Sequence, residues 1–259
     1  MIAYVHGGSR TPRIVRHPSA RGVPPDWKNT MSSILKYIRT HRYVLYVLYV
    51  PFYLCWFFLL EHLVTTNYWV SYLPLDDKIP FLPGFALVYC CWFPFLLLPG
   101  LYWLFCDVPA FKRYLWFLMI GFSVSMLICS VFPNGQNLRP TSFSSDGFCV
   151  RLVQALYRAD TNTNVLPSMH VVGAFAVVYG ALHSRKTSRP GWLAGFIGMA
   201  LLICCSTVLI KQHSVLDIFA GIAVSIPVWI ACHFIARADE RRSRREAERT
   251  AEKHLEGKP

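Results

Sequence analysis

Long apolar runs without a single charged side chain alternate along the chain with short polar segments. Six such runs contain no Asp, Glu, Lys or Arg, and they cover residues 43–60, 79–106, 114–138, 166–184, 190–210 and 218–236. About 20 apolar residues suffice to cross the hydrocarbon core of a bilayer. A helix satisfies its own backbone hydrogen bonds in lipid. The pattern therefore predicts an all-α fold, a six-transmembrane-helix bundle.

Two of the runs are longer than a membrane requires. Prolines in the second run place its spanning part at 84–106, and the third run is expected to end early, at Pro133. A soluble helical bundle is the alternative, but uncharged runs of this length exceed its ordinary core helices. The composition agrees, because only 15% of the residues are charged and the mean hydropathy is +0.36, whereas about a quarter of the residues in soluble domains are charged.

Basic residues are concentrated on one side of the predicted membrane. The first 42 residues, the loops after the second and fourth runs, and the tail hold 21 of the 26 Lys and Arg residues. Cytoplasmic loops carry such an excess, so both termini are predicted to be cytoplasmic. The predicted organisation is a disordered basic N-terminal segment (1–42), a six-helix membrane domain (43–236) and a charged cytoplasmic tail (237–259). A natural start at Met31 remains open.

The net charge of +12 follows from this asymmetry. Nucleic-acid binding is the competing interpretation of a basic protein. However, the basic residues flank the spans, and the tail mixes both signs of charge. Membrane lipids are therefore the expected partners, without nucleic acid. The oligomeric state stays open.

The longest outward loop covers about residues 134–165. It opens with turn-forming polar residues and continues with Val150, Val153, Leu156 and Tyr157 at helical spacing, which predicts a short interfacial helix. In the first outward loop, the acidic pair 76–77 has two interpretations: a solvated turn, or a part of the entry path for a substrate.

Cysteines and metal ligands add little chemistry. Eight of the nine cysteines lie in or at the ends of the runs, which leaves Cys149 alone in an outward loop. We find no spacing typical of a zinc site. No metal and no cofactor are therefore expected.

Polar clusters at the outward ends of the runs are the candidates for chemistry. His213 and Asp217 are four residues apart, so on a helix they share a face. An aspartate that accepts a hydrogen bond from one imidazole nitrogen leaves the other as a base or nucleophile. The alternatives are a pair that only caps a helix junction and, with a third ligand, a zinc site.

A second cluster, Pro167-Ser168-Met169-His170, opens the fourth run. Pro167 suits the first turn of a helix, where free N–H groups and the helix dipole attract anions. Ser168 could donate to a phosphoryl oxygen, and a protonated His170 could protonate a departing alkoxide. Arg139, in an Arg-Pro pair, could bind phosphate with both arms of its guanidinium. Taken singly, each residue also has a non-catalytic interpretation. The histidine could hold an inert position at the membrane interface, and the arginine could contact lipid headgroups.

Together the three clusters resemble the signature of the type 2 phosphatidic acid phosphatase superfamily: KxxxxxxRP, PSxH and SRxxxxxHxxxD. The resemblance covers roughly residues 84–236. It implies that His213 is the nucleophile, that Asp217 orients it, and that His170 is the general acid. It also implies that Arg139 and Ser168 hold the phosphoryl oxygens, without a metal ion.

Two positions depart from this signature. Phe132 stands where the first motif has its lysine, and Thr207 where the third has its arginine. Lys211, expected one helical turn beyond Thr207 on the same face, is the candidate substitute. Ser206 and Arg158 are further candidates for phosphate binding. The departures resemble a branch near the inositol phosphorylceramide and sphingomyelin synthases.

The predicted function is that of an integral membrane lipid phosphate phosphatase of the plasma membrane. It would hydrolyse a phosphomonoester or diphosphate of a lipid at the extracytoplasmic face, through a phosphohistidine intermediate. One alternative is a lipid phosphotransferase that uses an alcohol as acceptor. The other is a non-catalytic membrane protein that binds anionic lipids.

Overall fold

The computed structural model describes residues 31–33, 36, 42–143 and 146–256. The chain divides into two compact units, Met1–Val44 and Leu45–Pro259. Most of the predicted N-terminal segment, residues 1–42, lies outside the described residues. The α-helices and the candidate site described below lie in the second unit.

α-Helices make up most of the described chain, so the prediction of a helical protein is confirmed. In chain order they are α1 (Tyr49–Leu63), α2 (Ala86–Cys90), α3 (Trp92–Cys106), α4 (Val108–Val131), α5 (Phe148–Ala159), α6 (Met169–Leu182), α7 (Pro190–Leu209) and α8 (Val215–Glu256). Short 3-10 helices cover Arg42–Leu48, Asp76–Lys78 and Pro83–Phe85. Two strands, β1 (Trp69–Val70) and β2 (Asn134–Gly135), pair in parallel.

Among the described residues, five helical segments are long and apolar enough to cross a membrane. They are Leu45–Leu63, Pro83–Cys106, Val108–Val131, Pro190–Leu209 and Val215–Glu246. The remaining predicted span, 166–184, forms the 14-residue helix α6. At 1.5 Å per residue α6 is about 21 Å long, less than the roughly 30 Å of a hydrocarbon core. The protein is an integral membrane protein, but the count of six spans is not confirmed, and the cytoplasmic placement of the termini stays a prediction.

Helix α6 lies inside the bundle. It packs against α3, α4, α7 and α8, and most of its side chains are buried. Small residues allow this close approach: a Cβ atom on Gly180 would lie 2.6 Å from the ring of Trp103, and one on Gly121 of α4 would lie 2.6 Å from Val172. Because protein surrounds α6, the side chains of its first turn, including His170, are buried.

One end of the bundle carries the charged tail. Lys112 and Arg113, in the first turns of α4, form ion pairs with Asp239 and Glu240 of α8. Helix α8 continues without a break to Glu256, so no structural boundary separates the last span from the predicted tail.

At the other end of the bundle, three loops are joined by hydrogen bonds. They are loop 1 (residues 64–82), loop 2 (132–168, which contains β2 and α5) and loop 3 (210–214). Strand pairing joins loops 1 and 2, and the side-chain amide of Gln136 donates to the backbone carbonyls of Lys211 and Gln212 in loop 3. The helix predicted in loop 2 is confirmed as α5, with Val150 and Val153 buried.

Asp76 of loop 1 holds the N-terminus of α8. Its carboxylate accepts hydrogen bonds from the backbone N–H of Val215 (2.8 Å) and the hydroxyl of Ser214 (2.6 Å). It also accepts one from the N–H of Leu73. Asp76 is 1% exposed, so the solvated turn is wrong for this residue, although Asp77 is exposed. A carboxylate at a helix N-terminus satisfies free N–H groups and interacts favourably with the helix dipole.

We expect the substitution Asp76→Ala to destabilise the protein by about 1–3 kcal/mol, because it leaves buried donors at the start of α8 without an acceptor. Thermal unfolding of the detergent-solubilised protein measures the effect. Asp77→Ala is the matched control, because Asp77 is exposed and accepts its hydrogen bond from the exposed Tyr72. Equal unfolding midpoints for the two variants would contradict this role.

Candidate active site

The structure brings four of the sequence-predicted residues together where loops 1, 2 and 3 meet. These are Ser168, His170, His213 and Asp217, and each is at most 9% exposed. The backbone itself joins the two motifs, because the N–H of Ser168 donates to the carbonyl of Asp217 (3.1 Å).

His213 and Asp217 form the expected pair, with 3.2 Å between His213 Nδ1 and Asp217 Oδ2. Their placement differs from the prediction, because α8 begins at Val215 and His213 precedes the helix. Ser214 and Asp217 instead form a capping box: the Ser214 hydroxyl accepts from the N–H of Leu216, and Asp217 accepts from the N–H of Ser214. This box holds the carboxylate against the imidazole.

The carboxylate of Asp217 has a third donor. The hydroxyl of Ser71 in loop 1 donates to Oδ1 at 2.5 Å. With Nδ1–H of His213 directed at Asp217, Nε2 carries the lone pair of the neutral ring. Nε2 has no hydrogen-bond partner among the described residues and is not enclosed by them.

His170 is the second residue of α6 and lies within a cage of aromatic rings. Its ring centroid is 4.5 Å from those of Tyr89 and Trp92, and 5.3 Å from that of His213. Nδ1 is buried without a hydrogen-bond partner in the part of the chain that the structure describes. Nε2 is therefore the nitrogen that remains accessible to a ligand, next to His213.

Ser168 is the N-cap residue of α6, which begins at Met169. Pro167 thus precedes the cap. The prediction that it occupies the first helical turn is wrong. The first bond within the helix runs from the N–H of Val172 to the carbonyl of Ser168, so the N–H groups before it have no acceptor within α6. The Ser168 hydroxyl is buried and has no partner among the described residues. The arrangement suits an anion.

Arg139 is largely occupied by the end of α5. Its two terminal nitrogens donate to the backbone carbonyls of Tyr157, Asp160 and Thr161, and its guanidinium carbon lies 4.5 Å from the centroid of the Tyr157 ring. Burial lowers the pKa of Arg139, and the charge of Asp160 opposes this shift. In the described structure only Nε is left without a partner, and it is buried.

The other candidate phosphate ligands either donate to backbone carbonyls or are exposed. Helix α7 ends at Leu209. The prediction that Lys211 lies on a helix face is therefore wrong, and its backbone φ is 55°. Its amino group donates to the carbonyls of Asp76 and Ile79, both at 2.7 Å. The Ser206 hydroxyl donates to the carbonyl of Ile203, and Arg158 is exposed on α5.

At both positions that depart from the family signature, the residue present makes contacts of its own. Phe132 is 45% exposed and packs against Trp69 with 5.6 Å between the ring centroids. Thr207 is buried, and its backbone carbonyl accepts from the N–H groups of Gln212 and His213. Thr207 therefore helps to fix the backbone of His213, although it provides no charge.

Several polar residues of the site escaped prediction. Asn134 makes two hydrogen bonds to the backbone of Leu166, immediately before Pro167, and Gln136 holds loop 3. Asp160 accepts hydrogen bonds from Gln212 (2.9 Å) and Tyr89 (3.4 Å). Their only signal in the sequence was a polar side chain within or near an apolar run.

Asp160 adds negative charge to the site. Burial raises the pKa of this carboxyl, and the charge of Glu61 raises it further, whereas His213 and Arg139 act in the opposite direction. Among the described residues, no group of three or more His, Cys, Asp or Glu side chains is placed to hold a metal ion. The absence of a metal from the reaction therefore stays a prediction.

Comparisons with known proteins agree with the motifs. Residues 114–241 match the family model of the PAP2 superfamily. Searches of the curated proteins and of the solved structures found no significant match. The matched region contains the two histidines, and over these residues the chain belongs to the PAP2 superfamily, whose members are phosphatases or related phosphotransferases.

Proposed function

We propose that the protein cleaves a phosphate ester of a membrane lipid by transferring the phosphoryl group to His213. The observation that carries this proposal is the buried pair of His213 and Asp217, with the accessible Nε2 of His170 on the neighbouring ring. Covalent catalysis of this kind divides one difficult displacement into two easier ones.

In the first step, Nε2 of His213 forms a bond to phosphorus while the bond from phosphorus to the lipid oxygen breaks. Asp217 stabilises the positive charge that develops on the imidazole. His170 gives a proton to the departing lipid oxygen, as a general acid. Tyr89 and Trp92 restrict the ring of His170, so that its position is set before the substrate binds.

In the second step, water attacks the phosphohistidine and His170 accepts its proton. The N–P bond breaks and inorganic phosphate leaves. Throughout, the phosphoryl oxygens would lie against the N-terminus of α6 and the hydroxyl of Ser168. Fixed backbone dipoles in a site without bulk water stabilise developing negative charge effectively.

The lipid substrate would enter from the extracytoplasmic leaflet of the plasma membrane. The charge asymmetry of the sequence supports this orientation. The ion pairs of Lys112 and Arg113 lie at the N-terminal end of α4, whereas loop 2, which leads into Ser168, follows its C-terminal end. The site and the basic tail are thus at opposite ends of the bundle.

We expect His213→Ala to lower the hydrolysis of lipid phosphates by about 10³-fold or more, because the nucleophile is lost. Release of phosphate from detergent-solubilised lipid phosphates, measured in EDTA, tests both the residue and the absence of a metal. His62→Ala is the control, because His62 is exposed near the end of α1. Full activity of the His213 variant would exclude this mechanism, and loss of wild-type activity in EDTA would exclude its metal-free form.

His170→Ala should slow both steps of the reaction. The loss of rate in the first step should depend on whether the leaving group needs a proton. A lipid alkoxide needs a proton, whereas p-nitrophenolate leaves without one, so general acid catalysis worth about 10²–10⁴-fold is lost only with the lipid. With p-nitrophenyl phosphate we expect a burst of p-nitrophenol followed by slow turnover, as phosphohistidine accumulates. Equal losses with both substrates and no burst would show that His170 only supports the structure.

Transfer to an alcohol in place of water is a second candidate function. The departures from the family signature at Phe132 and Thr207 favour it, because they resemble a branch near the inositol phosphorylceramide and sphingomyelin synthases.

A further inference from the structure

Ser71 of loop 1 contacts the buried pair of His213 and Asp217. Its hydroxyl donates to Oδ1 of Asp217 at 2.5 Å, and both Ser71 and Asp217 are 0% exposed. Loop 1 precedes residues 114–241, over which the chain matches the family model. Neither that match nor the sequence motifs therefore assign a role to this serine.

The donors to Asp217 are divided between its two carboxylate oxygens. Oδ2 accepts from Nδ1 of His213 (3.2 Å) and from the backbone N–H of Ser214 (2.9 Å). Oδ1 accepts from Ser71, and no other donor to it lies in the part of the chain that the structure describes. The last torsion of an aspartate side chain is broad and not confined to narrow wells. Donors on both oxygens together fix the plane of the carboxylate, and Ser71 supplies the donor on Oδ1.

The position of Ser71 is set by loop 2 and not by the residues of the site. Ser71 directly follows β1, and its backbone N–H donates to the carbonyl of Gly135 in β2 (2.7 Å), which extends the pairing of the two strands. A Cβ atom on Gly135 would lie 2.6 Å from the ring of Tyr68, so the two loops approach closely here. The hydroxyl of Ser71 is thus in place before a substrate binds.

The orientation of the carboxylate matters most when the imidazole becomes positively charged. In the proposed first step, the bond from Nε2 of His213 to phosphorus leaves that charge on the ring, with Nδ1–H directed at Asp217. If the carboxylate turned, Oδ2 would lose its contact with Nδ1, and the ring would lose the bond that selects its tautomer. The hydrogen bond from Ser71 opposes this rotation, and a bond to a charged acceptor is stronger than one between neutral groups.

A structural tie between loop 1 and α8 is the simpler account of the contact. Asp76 already provides such a tie, because its carboxylate accepts from Ser214 and Val215 at the start of α8. Any hydrogen bond between loop 1 and α8 would serve as a tie, whereas Ser71 bonds to the carboxylate that orients His213.

We propose that Ser71 is a positioning residue for the reaction. It fixes the carboxylate of Asp217, which in turn fixes the tautomer and the ring orientation of His213. This inference rests on the proposed function, because His213 is the nucleophile there. The role predicts an effect on the rate of phosphoryl transfer and none on the binding of the substrate.

We expect Ser71→Ala to lower kcat for a lipid phosphate by about 10-fold or more and to leave KM within about twofold, because the variant loses a hydrogen bond to a charged group and no contact with substrate. The loss should be equal with p-nitrophenyl phosphate, since both substrates need His213. Ser225→Ala is the matched control, because Ser225 is equally buried and its hydroxyl donates to the carbonyl of Gly221 within α8.

Thermal unfolding of the same variants separates this role from a structural tie. If Ser71 only ties loop 1 to α8, Ser71→Ala lowers the unfolding midpoint while the folded protein retains its kcat. Retention of the wild-type kcat would overturn the proposal, whatever the change in the midpoint.

The tautomer of His213 tests the proposal without turnover. In protein whose histidine rings are labelled for nitrogen NMR, the signals of His213 are those that disappear in His213→Ala. At a pH where the ring is neutral, we expect the proton on Nδ1 in the wild type and a mixture of both tautomers in Ser71→Ala. Ser225→Ala should match the wild type.

An unchanged tautomer in Ser71→Ala would overturn the positioning role. A wild-type protein that hydrolyses no lipid phosphate would contradict the proposed function instead, and the change of tautomer would then still show that Ser71 orients His213 through Asp217.

Discussion

The buried carboxylate of Asp217 is the contact on which the rest of the site depends. Its oxygens accept from the ring of His213, the N–H of Ser214 and the hydroxyl of Ser71, and its backbone carbonyl accepts from Ser168. One residue thus joins loop 1, the entry to α6 and the first turn of α8. A buried carboxylate is tolerated only where donors surround it, so these elements keep their positions together.

The 14-residue helix α6 is accommodated because other helices enclose it. A helix that faces lipid must span the hydrocarbon core, but α6 is enclosed by α3, α4, α7 and α8 and can begin within the bundle. Its polar first turn therefore meets loop 3 and α8. Close packing through Gly180 and Gly121 holds α6 against α3 and α4.

The distribution of charge in the site departs from the family signature, because Phe132 and Thr207 stand where the signature has cations. Positive groups that sequence reasoning assigned to phosphate are engaged elsewhere: Arg139 holds the end of α5, and Lys211 holds loop 1. Asp160 and Glu61 add negative charge near the histidines. Binding of a phosphate would therefore depend more on the N-terminus of α6 and on the histidines than on a set of cations.

The sequence by itself determined the helical membrane class and the pairing of His213 with Asp217, because long uncharged runs and short motif spacings are local properties. It could not determine the burial of Asp76, the caging of His170 or the meeting of Asp160 with Gln212. These contacts join residues far apart in the chain, and only the packing of the helices brings them together. The same reason explains Lys211: its helix ended two residues earlier than spacing suggested, and tertiary hydrogen bonds then directed its amino group toward loop 1.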